Sequence, residues 1–160
     1  MNDEQKREFL RHTVATVAYR GGKAIMGAPE GFAGFKASVT ARTPLQILAH
    51  IGDLFDWALS MAKGKTVWKD APPLTWELES ERFFATVQAF DAFLASDKKI
   101  DKPIEKLFQG PVADALTHIG QINILRRVFD APVRGENYFR AEIEIGRVGA
   151  EQSANRVEFD

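Results

Sequence analysis

The sequence predicts an all-α protein, a four-helix bundle with a short C-terminal helix. Three observations predict it. The hydrophobic period is helical almost everywhere, glycine and proline punctuation divides the chain into four long periodic segments, and 160 residues at 45% hydrophobic can bury one full core without staples. Residues 1–160 are therefore read as one helical-bundle domain.

The first helix begins at Asn2 or Asp3, either of which can cap it, and runs to about Met26. GAPEGFAGF then breaks the period. Thr43-Pro44 is a sharp start signal, because threonine accepts a bond from a free first-turn amide and proline suits the first helical position. This second helix, LQILAHIGDLFDWALSMAKG, should end near Gly64. Pro72-Pro73 leads into the third, where Phe83, Val87, Phe90 and Leu94 keep helical spacing until about Ser96. The lysine-rich linker DKKIDKPIEKLFQG has room for one helical turn before the fourth helix opens at Gly110-Pro111 and continues to about Phe129, with Ala131-Pro132 ending it. Around Tyr138 to Val148 a weak amphipathic stretch predicts a short fifth helix, followed by a loose polar terminus.

Composition narrows the function classes. With 21 Lys+Arg against 22 Asp+Glu there is no long-range field to attract phosphate backbones, so nucleic-acid binding has no support beyond a local basic patch. No cysteine means no disulfide framework and no thiol nucleophile. MNDEQKREFLRH lacks the apolar core of a signal peptide and no run is long enough to span a bilayer, so a cytoplasmic location and no membrane partner are expected. Gly21-Gly22-Lys23 is too short for a phosphate loop and reads as a flexible helix end. Phe83, Phe84, Phe90 and Phe93 read as core, without the interleaved basic residues of a base-stacking platform.

The chemistry concentrates in two histidines on separate amphipathic segments. Asp114 precedes His118 by four residues, which places carboxylate and imidazole on one helical face. Projection at 100° per residue puts His50 at the edge of the stripe Ile47, Leu48, Ile51, Leu54, Phe55 and Ala58, with Gln46 and Asp53 toward the polar side. His118 projects beside Ala115, Ile119 and Ile122, with Asp114 and Gln121 at the border. Bundles build metal sites from such partly inward side chains on facing helices. Two readings stay open: a His50, Asp114, His118 metal site, or two packing histidines with Asp114 serving the dipole of its helix N-terminus.

The element order, the second-helix histidine and THIGQINILRR in the fourth helix resemble the DinB-like (damage-inducible) superfamily of metal-binding four-helix proteins. His118-Ile119-Gly120-Gln121 matches the latter half of that family's fourth-helix signature, and Asp114 stands where its first histidine would be. The resemblance implies up-up-down-down helices with a long connection, frequent homodimers, and metal-dependent thiol transferase, isomerase or hydrolase activity. It implies His50, Asp114 and His118 as ligands for Zn²⁺, Ni²⁺, Fe²⁺ or Mn²⁺, with a low-molecular-weight thiol among the cofactors to test.

Candidate catalytic groups are His12, Tyr19 and Gln121. His12, Thr16 and Tyr19 read as a polar strip on the first helix, and Gln121 as a group that orients His118 or faces solvent. Arg126 projects nearer the core than Arg127 and reads as a buried ion-pair partner or an anchor for an anionic substrate. Trp57, Trp68 and Trp76 read as a pocket wall or a dimer seam, and Gly135 to Tyr138 as a docking segment without chemistry. Against the enzyme stand two other classes: a non-catalytic bundle that dimerises or binds a partner without metal, and a ligand-binding stress protein or sensor without turnover.

Overall fold

The computed structural model describes residues 1–159 and is mainly helical. Its long helices are α1 (Asp3–Ile25), α2 (Pro44–Ala62), α3 (Trp76–Ala95) and α5 (Ala113–Val128); α4 (Ile104–Leu107) is a single turn, and Phe32–Gly34 forms a short 3₁₀ turn. Two start signals are closed reciprocally. Asn2 Oδ1 accepts from the Gln5 amide at 2.9 Å while Gln5 Oε1 accepts from the Asn2 amide, and Thr43 and Gln46 repeat this at α2.

Residue pairs set the helix directions. Arg11 near the start of α1 holds Asp91 near the end of α3, and Gly21 lies against Phe83, so α1 and α3 are antiparallel. Lys6 pairs with Glu105, Gly21 meets Ile119, and Arg126 donates to the Ala24 carbonyl, so α1 and α5 run together. Arg82 donates to the Ala49 carbonyl, Phe55 packs on Phe90, and the Ala62 carbonyl accepts from Asp101 beyond α3, which makes α2 and α3 parallel. The order is therefore up-down-down-up and not the expected up-up-down-down. A parallel pair of consecutive helices needs a crossover along the whole bundle. Residues 63–75 supply it: thirteen residues reach about 43 Å when extended, against about 28 Å for the length of α2.

α1 and α2 each pack on both α3 and α5, and so occupy opposite corners. Ile47, Leu48, Ile51, Leu54, Phe55, Phe83, Val87, Phe90, Leu94, Ala115, Ile119 and Ile122 fill the centre, as the helical spacing predicts. Gly21 and Gly22 are no flexible end. They lie buried inside α1, where an added Cβ on Gly21 would sit 2.4 Å from Phe83 Cζ. Asp53 also departs from its projected polar side: it is buried and paired with Arg82, which further holds Asp56 at 2.9 Å and Glu79 at 3.3 Å.

The fourth helix begins earlier than expected. α4 passes through a π turn (Phe108–Val112) straight into α5, and Pro111, which has no N–H to donate, sits within the widened turn. The short fifth helix is absent. Residues 137–157 are irregular, and β1 (Gly135–Glu136) pairs antiparallel with β2 (Glu158–Phe159). The cause lies in side chains that a helix would carry away from their partners: Glu136 is buried against Tyr19 and Lys23, Tyr138 stacks edge-on to Tyr19, and Gly146 takes a positive φ of 88°. The terminus is likewise fastened, since Lys23 Nζ also holds Glu158 at 2.7 Å.

Candidate metal centre

Antiparallel packing of α2 on α5 brings His50, Asp114 and His118 together. One donor atom from each lies within 4.8 Å of the others. His118 Nε2 is 3.5 Å from Asp114 Oδ1, His50 Nε2 is 3.8 Å from Asp114 Oδ2, and the two imidazoles meet edge to face with centroids 4.7 Å apart. Donors bonded to one divalent ion at 2.0–2.2 Å stand about 3–3.5 Å apart. Small side-chain rotations would bring this set to that spacing.

The second nitrogen of His118 is engaged. Its Nδ1 lies 3.0 Å from Gln121 Oε1, and an amide oxygen only accepts, so Nδ1 carries the proton and the lone pair of the neutral ring is the one on Nε2, which faces Asp114 and His50. The i to i+3 spacing on α5 provides this contact. Gln121 therefore orients the imidazole, one of the two roles open from sequence. His50 is also suited to donate a lone pair. Burial, then the neighbouring His118 and Arg42, hold its pKa below the ordinary histidine value despite the opposing pull of Asp114. With 21% of the His50 side chain, 12% of His118 and 47% of Asp114 exposed, the donors sit at the edge of the bundle with the carboxylate open to solvent.

The crossover shields one side. Ser60 Oγ donates to the Trp57 carbonyl at 2.8 Å and accepts from the Val67 amide at 3.1 Å, which fixes the loop so that Trp68 stands edge-on to both Trp57 and His50. Trp76 packs instead on Phe32, so the three tryptophans do not form one wall. Beside His50 a cleft of about 210 Å³ is lined by Arg42, Gln46, Asp53, Asp70 and Pro73. Past Gln121 an open, mainly apolar groove of about 670 Å³ runs along Ile47, Gly120, Ile124 and Leu125 with Arg42 at its margin. Ligand space thus adjoins the three donors.

The other predicted groups fall elsewhere. His12 is exposed on α1, and the Thr16 hydroxyl is used on the His12 carbonyl. Tyr19 is fully buried and donates to Glu136, with burial and that carboxylate pushing its pKa up, so His12, Thr16 and Tyr19 are no continuous polar strip. Arg126 has no ion pair among the described residues, and its guanidinium is occupied by backbone carbonyls. Its guanidinium donates to the carbonyls of Ala131, Ala24, Met26 and Gly27, closing the end of α1. Sequence reasoning missed Arg42, which precedes the Thr43 cap of α2, and the part Trp68 plays against His50; the approach of a crossover residue such as Trp68 to a helix leaves no periodic signal.

Among the described residues no helix is long and apolar enough to cross a membrane. No family model, curated protein or solved structure matches the chain.

Proposed function

We propose that this chain is a DinB-like, metal-dependent enzyme of the thiol transferase, isomerase or hydrolase type, acting in the cytoplasm as a homodimer on a small-molecule substrate. The observation that carries the reading is the convergence of His50, Asp114 and His118 from two helices, with Gln121 fixing the tautomer of His118. Two imidazoles and a carboxylate suit Zn²⁺, Ni²⁺, Fe²⁺ or Mn²⁺, and the absence of thiolate argues against a closed structural zinc site. When bound, the divalent ion supplies Lewis acidity that holds a cofactor thiol as thiolate or acidifies water.

The chain's own groups define the rest. Gln121 keeps His118 in the donor tautomer, Trp68 covers the His50 ring, and Arg42, at the margin of both cavities, meets negative charge on the substrate. Ile124 and Val128, one turn apart and exposed on α5, supply apolar surface for the homodimer.

A second reading has its own support: the edge-to-face imidazole contact and the solvent-open Asp114 also suit a non-catalytic bundle in which the histidines only pack. Elemental mass spectrometry on tag-free protein separates the two. The enzyme reading predicts about one metal per chain in the parent and far less in Asp114→Ala. No metal in the parent after incubation with zinc, nickel, manganese and anaerobic ferrous iron supports the packing reading.

A further inference from the structure

A second cleft lies on the α1 side of α5, away from the histidines. Its volume is about 290 Å³, and its lining includes Arg20 of α1, Asn123 and Arg127 of α5, and Arg134, Tyr138 and Phe159 from the C-terminal segment. His118 and Arg127 are nine residues apart on one helix, so at 100° per residue they point in opposite directions. This space belongs to a different face from the candidate metal centre.

Two of its cations, Arg20 and Arg127, have no carboxylate partner among the described residues. Glu136, the one carboxylate of the lining among the described residues, is buried, and both its oxygens are committed: Oε1 to the Tyr19 hydroxyl and Oε2 to Lys23 at 2.7 Å. Glu158 is held by Lys23 and by Arg134 at 3.5 Å. Among the described residues no carboxylate lies within ion-pair distance of Arg20 or Arg127. Arg20 is nonetheless placed, with its guanidinium 4.3 Å from the centre of the Tyr138 ring. Guanidinium groups gathered on rigid helices without acidic partners are the usual recognition element for oxyanions.

Two further features point to a ligand. Asn123, one turn before Arg127, has a buried Oδ1 with no hydrogen-bond partner among the described residues, and such an acceptor calls for a donor. A hydroxyl on the ligand would provide it. The half-exposed Phe159 ring offers an apolar wall, held close because Gly135 has no side chain: a Cβ there would lie 2.6 Å from Phe159 Cε2.

We propose that this cleft is a second binding site, for a small molecule carrying a phosphate or carboxylate group on an apolar, ring-sized body. Arg20 and Arg127 take the anion, Asn123 takes a ligand hydroxyl, and Phe159 contacts the body. The position leaves the histidines untouched.

Isothermal titration calorimetry at constant ionic strength tests it, with inorganic phosphate, phenyl phosphate and benzoate as probes. Phenyl phosphate should bind saturably with one site per chain, at least about tenfold more tightly than inorganic phosphate; tighter binding of benzoate instead would assign the head group as carboxylate. Arg127→Gln, which removes an exposed side chain without an ion pair among the described residues, should weaken the better probe about tenfold or more, as should Arg20→Gln. His118→Ala should bind it like the parent, which separates this site from the metal reading. Absence of saturable heat with all three probes, or affinity unchanged in both arginine variants, or affinity lost in His118→Ala, would overturn the proposal.

Discussion

In the proposed metal site, the imidazole of His118 depends on what holds its far side. A ligand histidine whose second nitrogen is unbound can rotate and change tautomer, and an outer partner commonly contributes about 10–100-fold in metal affinity. Gln121→Ala is accordingly expected to weaken zinc binding by about that factor in competition with a chromophoric chelator, with stability little changed because Gln121 is exposed. Unchanged affinity would remove the orienting role. A different residue pair governs stability. Lys23 holds Glu136, whose side chain is 0% exposed, so Lys23→Met leaves a buried carboxylate without its cation and should cost about 3–5 kcal/mol in urea denaturation. A loss below 1 kcal/mol would mean that Tyr19 alone suffices. The two sites differed in how readable they were. His50 and His118 fell at the edge of apolar stripes by helical projection alone, whereas the partners of Lys23 and Asp53 are 113 and 29 residues away, beyond any local pattern.

Capping chemistry made the helix starts readable, because an N-cap acts within four residues. Thr43 accepts from the Gln46 amide at 3.2 Å, and Thr43→Ala should lower stability by about 1 kcal/mol. Glycines inside the helices divide by what surrounds them. Gly21→Ala drives a methyl into Phe83 and should cost about 1–3 kcal/mol, while Gly120→Ala meets nothing within 4 Å and should stabilise by about 0.5–1 kcal/mol. Denaturation midpoints moving the same way for both would contradict this packing. The sequence pair Gly21-Gly22 looked like a flexible end because composition carries no sign of a neighbour pressing on it. The start of the fourth helix was misread for a related reason: Pro111 normally marks a first turn, and here a π turn accommodates it within a continuing helix.

At the scale of the whole molecule, periodicity identified the four long helices, but their order in space depends on which faces meet. The run of thirteen residues between α2 and α3 was the one sequence clue to a crossover, and it carried no direction. The C-terminal segment shows the same division. Its apolar residues fitted a helix, yet buried bonds to Tyr19 and Lys23 hold it as an irregular strap closed by two residue pairs, Gly135 with Phe159 and Glu136 with Glu158. Deleting residues 150–160 should therefore leave the far-UV helical signal per chain unchanged while lowering the thermal midpoint, since Glu158 and the β1–β2 pairing are lost. A fall in helical signal at temperatures well below that midpoint would show the strap to be required for the bundle.

The central claim is that two helices on adjacent corners hold one metal ion between them. An anomalous difference map at the zinc edge, from crystals grown with zinc, tests it most directly. The account predicts one peak within about 2.0–2.2 Å of an imidazole nitrogen of His50, Nε2 of His118 and a carboxylate oxygen of Asp114. A peak only elsewhere, or none with the three side chains as they stand, would contradict it and leave these residues a packing contact.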